Sequence, residues 1–163
     1  MVTVASFTPS RAEENMDIVS IARFIEGFLE GALQKHIEPV DQCITNVDPI
    51  VTDIAVLMND LDKDDRQWKD VAIHLGSLLI HIPPALQNCK NMPDTLIGTF
   101  NSWVKKIKNP LTIIKIIAKA IALYLIRLIE DAVGFVSGFK KGDFWKAGNK
   151  LGDIPYVLFD RCG

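Results

Sequence analysis

The chain has 163 residues, of which 48% are apolar and 23% are charged. A chain of this length commonly forms one domain. This apolar content is sufficient for a hydrophobic core, so the composition excludes an intrinsically disordered protein. We therefore predict a single domain spanning 1–163, with a flexible segment at 1–10, an acidic half at 11–100 and a basic half at 101–163.

The formal net charge of −2 hides an uneven distribution along the chain. Residues 1–100 contain seven Lys and Arg against 15 Asp and Glu, whereas residues 101–163 contain 11 against five. In the simpler interpretation, the two halves pack against each other and their electric fields partly cancel. In the alternative, the basic half presents a face to an anionic partner or to a lipid surface.

Apolar residues recur at helical spacing in six segments, which short polar or proline-containing connections separate. Residues 10–13 match the sequence pattern of a capping box, Asp48 is a predicted N-cap before Pro49, and Pro83 and Pro84 are expected to break or kink the helix before them. No segment shows the alternation of a half-buried strand. We predict an all-α, compact single-domain bundle of five to seven helices, with helices at about 11–35, 49–61, 65–81, 93–109, 110–139 and 143–153.

The segment 110–139 is the longest and most hydrophobic of these predicted helices. Its charged residues fall on one side and leave an apolar arc of about 200°; they are Lys115, Lys119, Arg127, Glu130 and Asp131. Three cations within the span argue against a transmembrane helix. The favoured interpretation is a long central helix that neighbours enclose on three sides, with its lysines reaching water. The alternative leaves part of the arc exposed for a lipid or a protein partner.

Glycines recur four residues apart inside predicted helices, at 27 and 31, 134 and 138, and 148 and 152. A glycine within a helix costs roughly 1 kcal/mol relative to alanine, so these positions need a reason. Two glycines four apart lie on one helix face, where the missing side chains let a second helix backbone approach closely. We therefore predict tight packing between helices at these faces.

Three cysteines cannot all pair within the chain. Cys43 and Cys89 lie in polar, turn-like segments, and a disulfide between them would join two helical hairpins. Closing a loop of about 45 residues would contribute on the order of 4 kcal/mol to stability. Cys162 would remain as a free or intermolecular thiol. The first residues lack the features of a signal peptide, so we expect a secreted or organelle-lumenal mature form if the disulfide exists, and an intracellular protein otherwise.

The sequence contains no recognisable catalytic motif, and we predict no catalytic residue and no cofactor. Asp70, His74 and His81 could share a helix face, but they lack a third strong metal ligand, so histidines at a helix interface are the favoured interpretation. The acidic run at 60–64 copies the start of a calcium loop but lacks its glycine and its final glutamate. We therefore predict no metal site, and the pI of 5.9 argues against nucleic-acid binding.

These observations favour a non-enzymatic helical protein that acts as a structural or interaction subunit of a larger assembly, through a protein partner or self-association. The alternative is a protein that binds lipid or another hydrophobic ligand, either inside the bundle or at an anionic membrane surface. The predicted surface for a partner or for lipid carries five lysines: Lys105, Lys106, Lys108, Lys115 and Lys119.

Overall fold

The computed structural model describes residues 16–163; the predicted flexible segment 1–10 and the capping box at 10–13 lie outside the described residues. The described residues form six α-helices and no strand, which confirms the predicted all-α class. The helices are α1 (Ile18–Leu33), α2 (Asp48–Leu61), α3 (Trp68–Ala85), α4 (Leu96–Lys108), α5 (Pro110–Lys140) and α6 (Phe144–Pro155), and a π-helical segment, Tyr156–Arg161, follows α6 directly.

Helices α1 to α4 begin at other residues than predicted; α3 begins at Trp68 rather than near residue 65, and α4 at Leu96 rather than near residue 93. Helix α1 begins at Ile18 rather than near residue 11, because Asp17 adopts an extended conformation and its carboxylate accepts the Ser20 N–H at 2.8 Å. Helix α2 begins at Asp48 itself, with Val47 as the N-cap and no side-chain cap, so the predicted capping role of Asp48 is wrong. Pro49 lies in the first turn of α2, as predicted.

Helix α3 runs through Pro83 and Pro84 to Ala85, so the predicted break before the two prolines is wrong. Both prolines fall in the last turn of the helix, where their missing N–H groups remove bonds only near its end. The Leu86 N–H then donates to the carbonyl oxygens of Ile82 and Pro83 at 3.2 and 3.1 Å, which closes the helix.

Helices α1 and α6 pack backbone to backbone at the centre of the bundle. A Cβ atom added at Gly148 would lie 2.0 Å from the Phe24 carbonyl oxygen, and one added at Gly27 would lie 2.1 Å from a backbone oxygen of α6. The corresponding distances at Gly31 and Gly152 are 2.3 and 2.2 Å. Only glycine fits at these four positions, which confirms the predicted close approach of two helices.

Aromatic side chains fill the space around this contact. Phe24 and Phe28 of α1 are fully buried and link α5 on one side to α4 on the other. The Phe24 ring contacts the ring of Phe135 at 6.2 Å between centroids, and Phe28 contacts Phe100 at 6.3 Å. Two further ring pairs extend the chain of contacts to the C-terminal segment: Phe100 with Trp103, and Trp103 with Phe159.

Helix α5 is the long helix expected from the sequence, with Asn109 as its N-cap accepting the Thr112 N–H at 3.1 Å. Its backbone is kinked at Tyr124, where φ is −133° and ψ is 20°. The expected enclosure of its apolar arc on three sides is wrong for 111–126, where only Ile113, Ile116 and Ala120 are buried. The second half of α5 is enclosed as expected: Leu128, Ala132 and Phe135 are buried, and the Phe135 ring contacts Phe24 of α1.

The α1–α6 contact predicts a large difference between two Gly→Ala substitutions. Gly148→Ala would place a methyl group inside the van der Waals radius of the Phe24 carbonyl, and we expect a loss of about 3 kcal/mol or more in the free energy of unfolding. Gly98→Ala is the matched control, because a Cβ at Gly98 meets nothing within 4 Å. Alanine there should be neutral or stabilise α4 by about 0.5–1 kcal/mol. Urea unfolding of both variants measures the difference, and equal stabilities would contradict the packing.

Candidate functional site

A row of large apolar side chains on the first half of α5 is exposed to solvent. The exposed fraction is 72% for Leu111, 63% for Leu123 and 76% for Ile126. Five smaller or less exposed neighbours complete the surface, which we call the α5 face: Ile114, Ala118, Ile121, Ala122 and Leu125. Isolated exposed apolar residues are common on proteins, whereas eight of them on one half of a single helix are unusual.

Local sequence explains why the α5 face points outward. Ile113, Ile116 and Ala120 recur at intervals of three and four, so they form one inward stripe that anchors this half of the helix. The next inward residue is Leu128, beyond the kink at Tyr124. Between Ala120 and Leu128 no side chain is fully buried, and a turn and a half of helix therefore exposes apolar groups on most sides.

Two of the five predicted lysines lie on the same helix as the α5 face, and the other three lie on α4. Lys115 and Lys119 are exposed on α5 itself, whereas Lys105, Lys106 and Lys108 occupy the last turn of α4, which Asn109 joins to the start of α5. The sequence from 95 to 129 contains no Asp or Glu. The half of α5 that carries this surface is consequently cationic as well as apolar.

The C-terminal segment packs beside the kink of α5. The Arg161 guanidinium lies over the Tyr124 ring, 5.7 Å from its centroid, and donates a hydrogen bond to the tyrosine hydroxyl at 3.4 Å. Cys162 is unpaired and buried, with 6% of its surface exposed. Burial raises the pKa of its thiol, and the nearby charges of Lys119 and Arg161 oppose that effect only in part. A buried, protonated thiol is poorly placed for an intermolecular disulfide.

Cys43 and Cys89 form the predicted disulfide, 46 residues apart in sequence. It joins the segment before α2 to the segment after α3. The Thr45 N–H donates to the Ala85 carbonyl at 3.0 Å beside it. The disulfide therefore closes the open end of the α2–α3 hairpin.

His74 and His81 each pair with a carboxylate across the α2–α3 interface. His74 contacts Asp60, and His81 Nδ1 lies 2.7 Å from Asp53 Oδ2, so both histidines lie at a helix interface as predicted, and their partners come from α2. Ser77 also donates to Asp53, at 2.8 Å. In the part of the chain that the structure describes, no three His, Cys, Asp or Glu residues are grouped so that they could hold a metal ion.

A polar cleft of about 640 Å³ lies where α1, α5 and α6 meet. Asp131, expected on the outer side of α5, lines this cleft with 3% of its surface exposed. Arg127 holds Asp153 through two hydrogen bonds of 2.9 and 2.6 Å. The Oδ2 atom of Asp131 has no hydrogen-bond donor among the described residues, whereas a protonated Asp131 can donate to Asp153.

The two carboxyl groups of the cleft have opposite pKa shifts. Burial, together with the hydrogen bond to Asp153 and its negative charge, raises the pKa of Asp131 to about 9. For Asp153, burial is outweighed by hydrogen bonds from Arg127 and Asp131, so its pKa is lowered. The Arg127–Asp153 ion pair joins α5 to α6 beside Asp131. In the sequence, this network of Arg127, Asp131 and Asp153 is indicated only by the spacing of Arg127 and Asp131, which lie four residues apart on α5.

The described residues thus define a disulfide-linked helical bundle with a surface-exposed apolar helix. None of the described helices is both long enough and apolar enough to cross a membrane. The family model of the SctB-like proteins, described as secreted protein B-like, matches residues 5–160, and the chain belongs to this family. No curated protein and no solved structure shows significant similarity to the chain.

Removal of the disulfide should lower stability without changing the fold. Because the Cys43–Cys89 bond closes a loop of 46 residues, Cys43→Ser with Cys89→Ser should cost about 3–4 kcal/mol in the free energy of unfolding. Thermal unfolding in non-reducing buffer measures the Tm of the double variant. Cys162→Ser is measured in the same way as a control, because it removes a cysteine but keeps the disulfide. Equal Tm values for the double variant and the parent protein would contradict a structural role.

The proton on Asp131 makes stability depend on pH. The folded pKa is raised to about 9 from an ordinary value of 3.8. The stabilisation that the neutral Asp131 contributes is therefore fully present below about pH 4 and is lost as the pH rises toward the pKa of Asp131 in the folded protein. Asp131→Asn keeps a neutral group there, so its Tm should fall less than that of the parent between about pH 5 and pH 8. Asp160→Asn, at an exposed position, should follow the parent. Parallel pH profiles for all three proteins would contradict a buried proton.

Proposed function

We propose that this protein is a secreted, non-enzymatic interaction protein that binds a protein partner through the α5 face. The observation that carries the proposal is the exposure of Leu111, Leu123 and Ile126, each at 63% or more. Burying apolar surface contributes about 25 cal/mol per Å², so covering these side chains supplies a driving force for association.

Secretion is supported by two independent observations. The family description names secreted proteins. The Cys43–Cys89 disulfide is typical of proteins that fold in an oxidising compartment, since cytosolic thiols are kept reduced.

The charge of the α5 face argues against a second copy of the chain as the partner. In a two-fold symmetric dimer the same patch meets itself, so Lys115 and Lys119 of one copy would face cations of the other. Residues 95–129 supply no carboxylate to neutralise them. A different protein with an acidic surface is the better match, because opposite charges across an interface speed association and set specificity.

An anionic membrane surface is the second candidate partner. One observation favours it: apolar residues are exposed on most sides of the helix at 121–126. A membrane, into which the helix can insert, covers such a surface better than a partner that contacts one side only. Carriage of an apolar ligand inside the bundle has less support, because rings of Phe24, Phe28, Phe100 and Phe135 fill the centre.

The proposal predicts that partner capture depends on the α5 face. Tagged protein is cross-linked in the medium of the producing cells and recovered, and the captured proteins are identified by mass spectrometry. Ile114→Gln with Ile121→Gln should lose the partner, because these positions are 52% and 39% exposed. The matched control is Ile73→Gln with Ile80→Gln on α3, at 46% and 49%. The control should capture the partner as the parent does.

A captured partner is then purified, and its affinity is measured by calorimetry against the same three proteins. Comparable Tm values for both double variants establish that each is folded. A partner that binds all three proteins equally would refute a role for the α5 face in binding.

A further inference from the structure

Five exposed residues on α5 follow the spacing of a coiled-coil seam. Leu111, Ile114, Ala118, Ile121 and Leu125 are separated by intervals of three, four, three and four. Up to Ile121 this alternation places the side chains on one stripe, where a second helix can pack with knobs-into-holes geometry, and Leu125 follows the kink at Tyr124. The stripe covers two heptads, or about 21 Å of helix.

The stripe ends where the fold requires its residues for the core. The next position in the series is Leu128, which is buried. The small side chain of Ala118 at the middle of the stripe lets the axis of a partner helix come close. Inside the described chain no other helix covers these five positions, since all of them are exposed.

The charges beside the stripe specify the other helix. With Leu111 assigned to position a, Lys115 occupies position e, which borders the seam and pairs with charged residues of a partner. Lys119 falls at position b, outside the flanking positions, but adds to the positive charge near the seam, and no Asp or Glu occurs between 95 and 129. Acidic residues at the flanking positions of the partner helix would be attracted, and basic ones would be repelled.

From this spacing and charge we infer that the α5 face receives an amphipathic helix of the partner protein, apolar along its seam and acidic at its flanks. The inference rests on the proposed function and specifies the kind of partner. It corresponds to the recognition mode in which an amphipathic helix lays its apolar face against a hydrophobic surface.

Two synthetic peptides test the inference. Each has three heptads with Leu at a and d; one carries Glu at every e and g position and the other carries Lys. Like charges keep each peptide from pairing with itself. The acidic peptide should bind the full chain at least tenfold more tightly than the basic one, gain helical circular dichroism on mixing, and bind less tightly in high salt.

Variants distinguish binding at the α5 face from nonspecific attraction. Ile114→Gln with Ile121→Gln should weaken acidic-peptide binding at least tenfold, while Ile73→Gln with Ile80→Gln on α3 should leave it unchanged. Lys115→Glu with Lys119→Glu should reverse the preference, so that the basic peptide binds better. A folding failure cannot produce such a reversal.

The inference is overturned if the acidic peptide does not bind, or if it binds all variants equally. Sedimentation with phosphatidylcholine vesicles, with and without phosphatidylserine, forms the second arm. If the protein sediments only with phosphatidylserine vesicles and does not bind the acidic peptide, the α5 face binds a membrane. This result would overturn the inference of a helical protein partner. A captured protein that depends on the α5 face but does not compete with the acidic peptide overturns the inference alone and leaves the proposed function standing.

Discussion

The structure depends on one contact, the direct packing of the α1 and α6 backbones through Gly27, Gly31, Gly148 and Gly152. Carbonyl oxygens of each helix lie where a Cβ atom of the other would stand. This approach brings Phe24 and Phe28 into the middle of the bundle, where α4 and α5 supply the rings that surround them. Helix α6 follows the long helix in sequence, so its fixed position also fixes the second half of α5.

The first half of α5 lies outside because the centre is already occupied. Beyond the kink at Tyr124, Leu128, Ala132 and Phe135 are buried, whereas most apolar residues before it face solvent. A fold that needed α5 only for stability would not require apolar residues on its outer side. In the proposed function these residues and the lysines around them form the binding surface, and the α1–α6 contact and the disulfide keep the scaffold rigid beneath it.

Much of the architecture could be predicted because it depends on local pattern. Apolar spacing predicted the helices, the glycine pairs predicted close backbones, and the contexts of Cys43 and Cys89 predicted their pairing. Features that depend on neighbouring helices could not be predicted in this way. A wide apolar arc shows that a helix can be enclosed but not that it is. The sequence therefore left two interpretations open, and the favoured one, enclosure on three sides, is wrong for 111–126. The carboxylate partners of His81 and Asp131 likewise come from other helices, at sequence distances that no periodicity encodes.

Hydroxyl-radical footprinting of the purified, monomeric protein tests the central claim, that α1 occupies the interior while the first half of α5 faces water. Oxidation rates per residue are read by mass spectrometry and corrected for intrinsic reactivity. The account predicts rapid labelling of Leu111, Leu123 and Ile126 and strong protection of Phe24 and Phe28. Protected leucines on α5 together with labelled phenylalanines on α1 would show that the two helices have exchanged places and would contradict both the fold and the proposed surface.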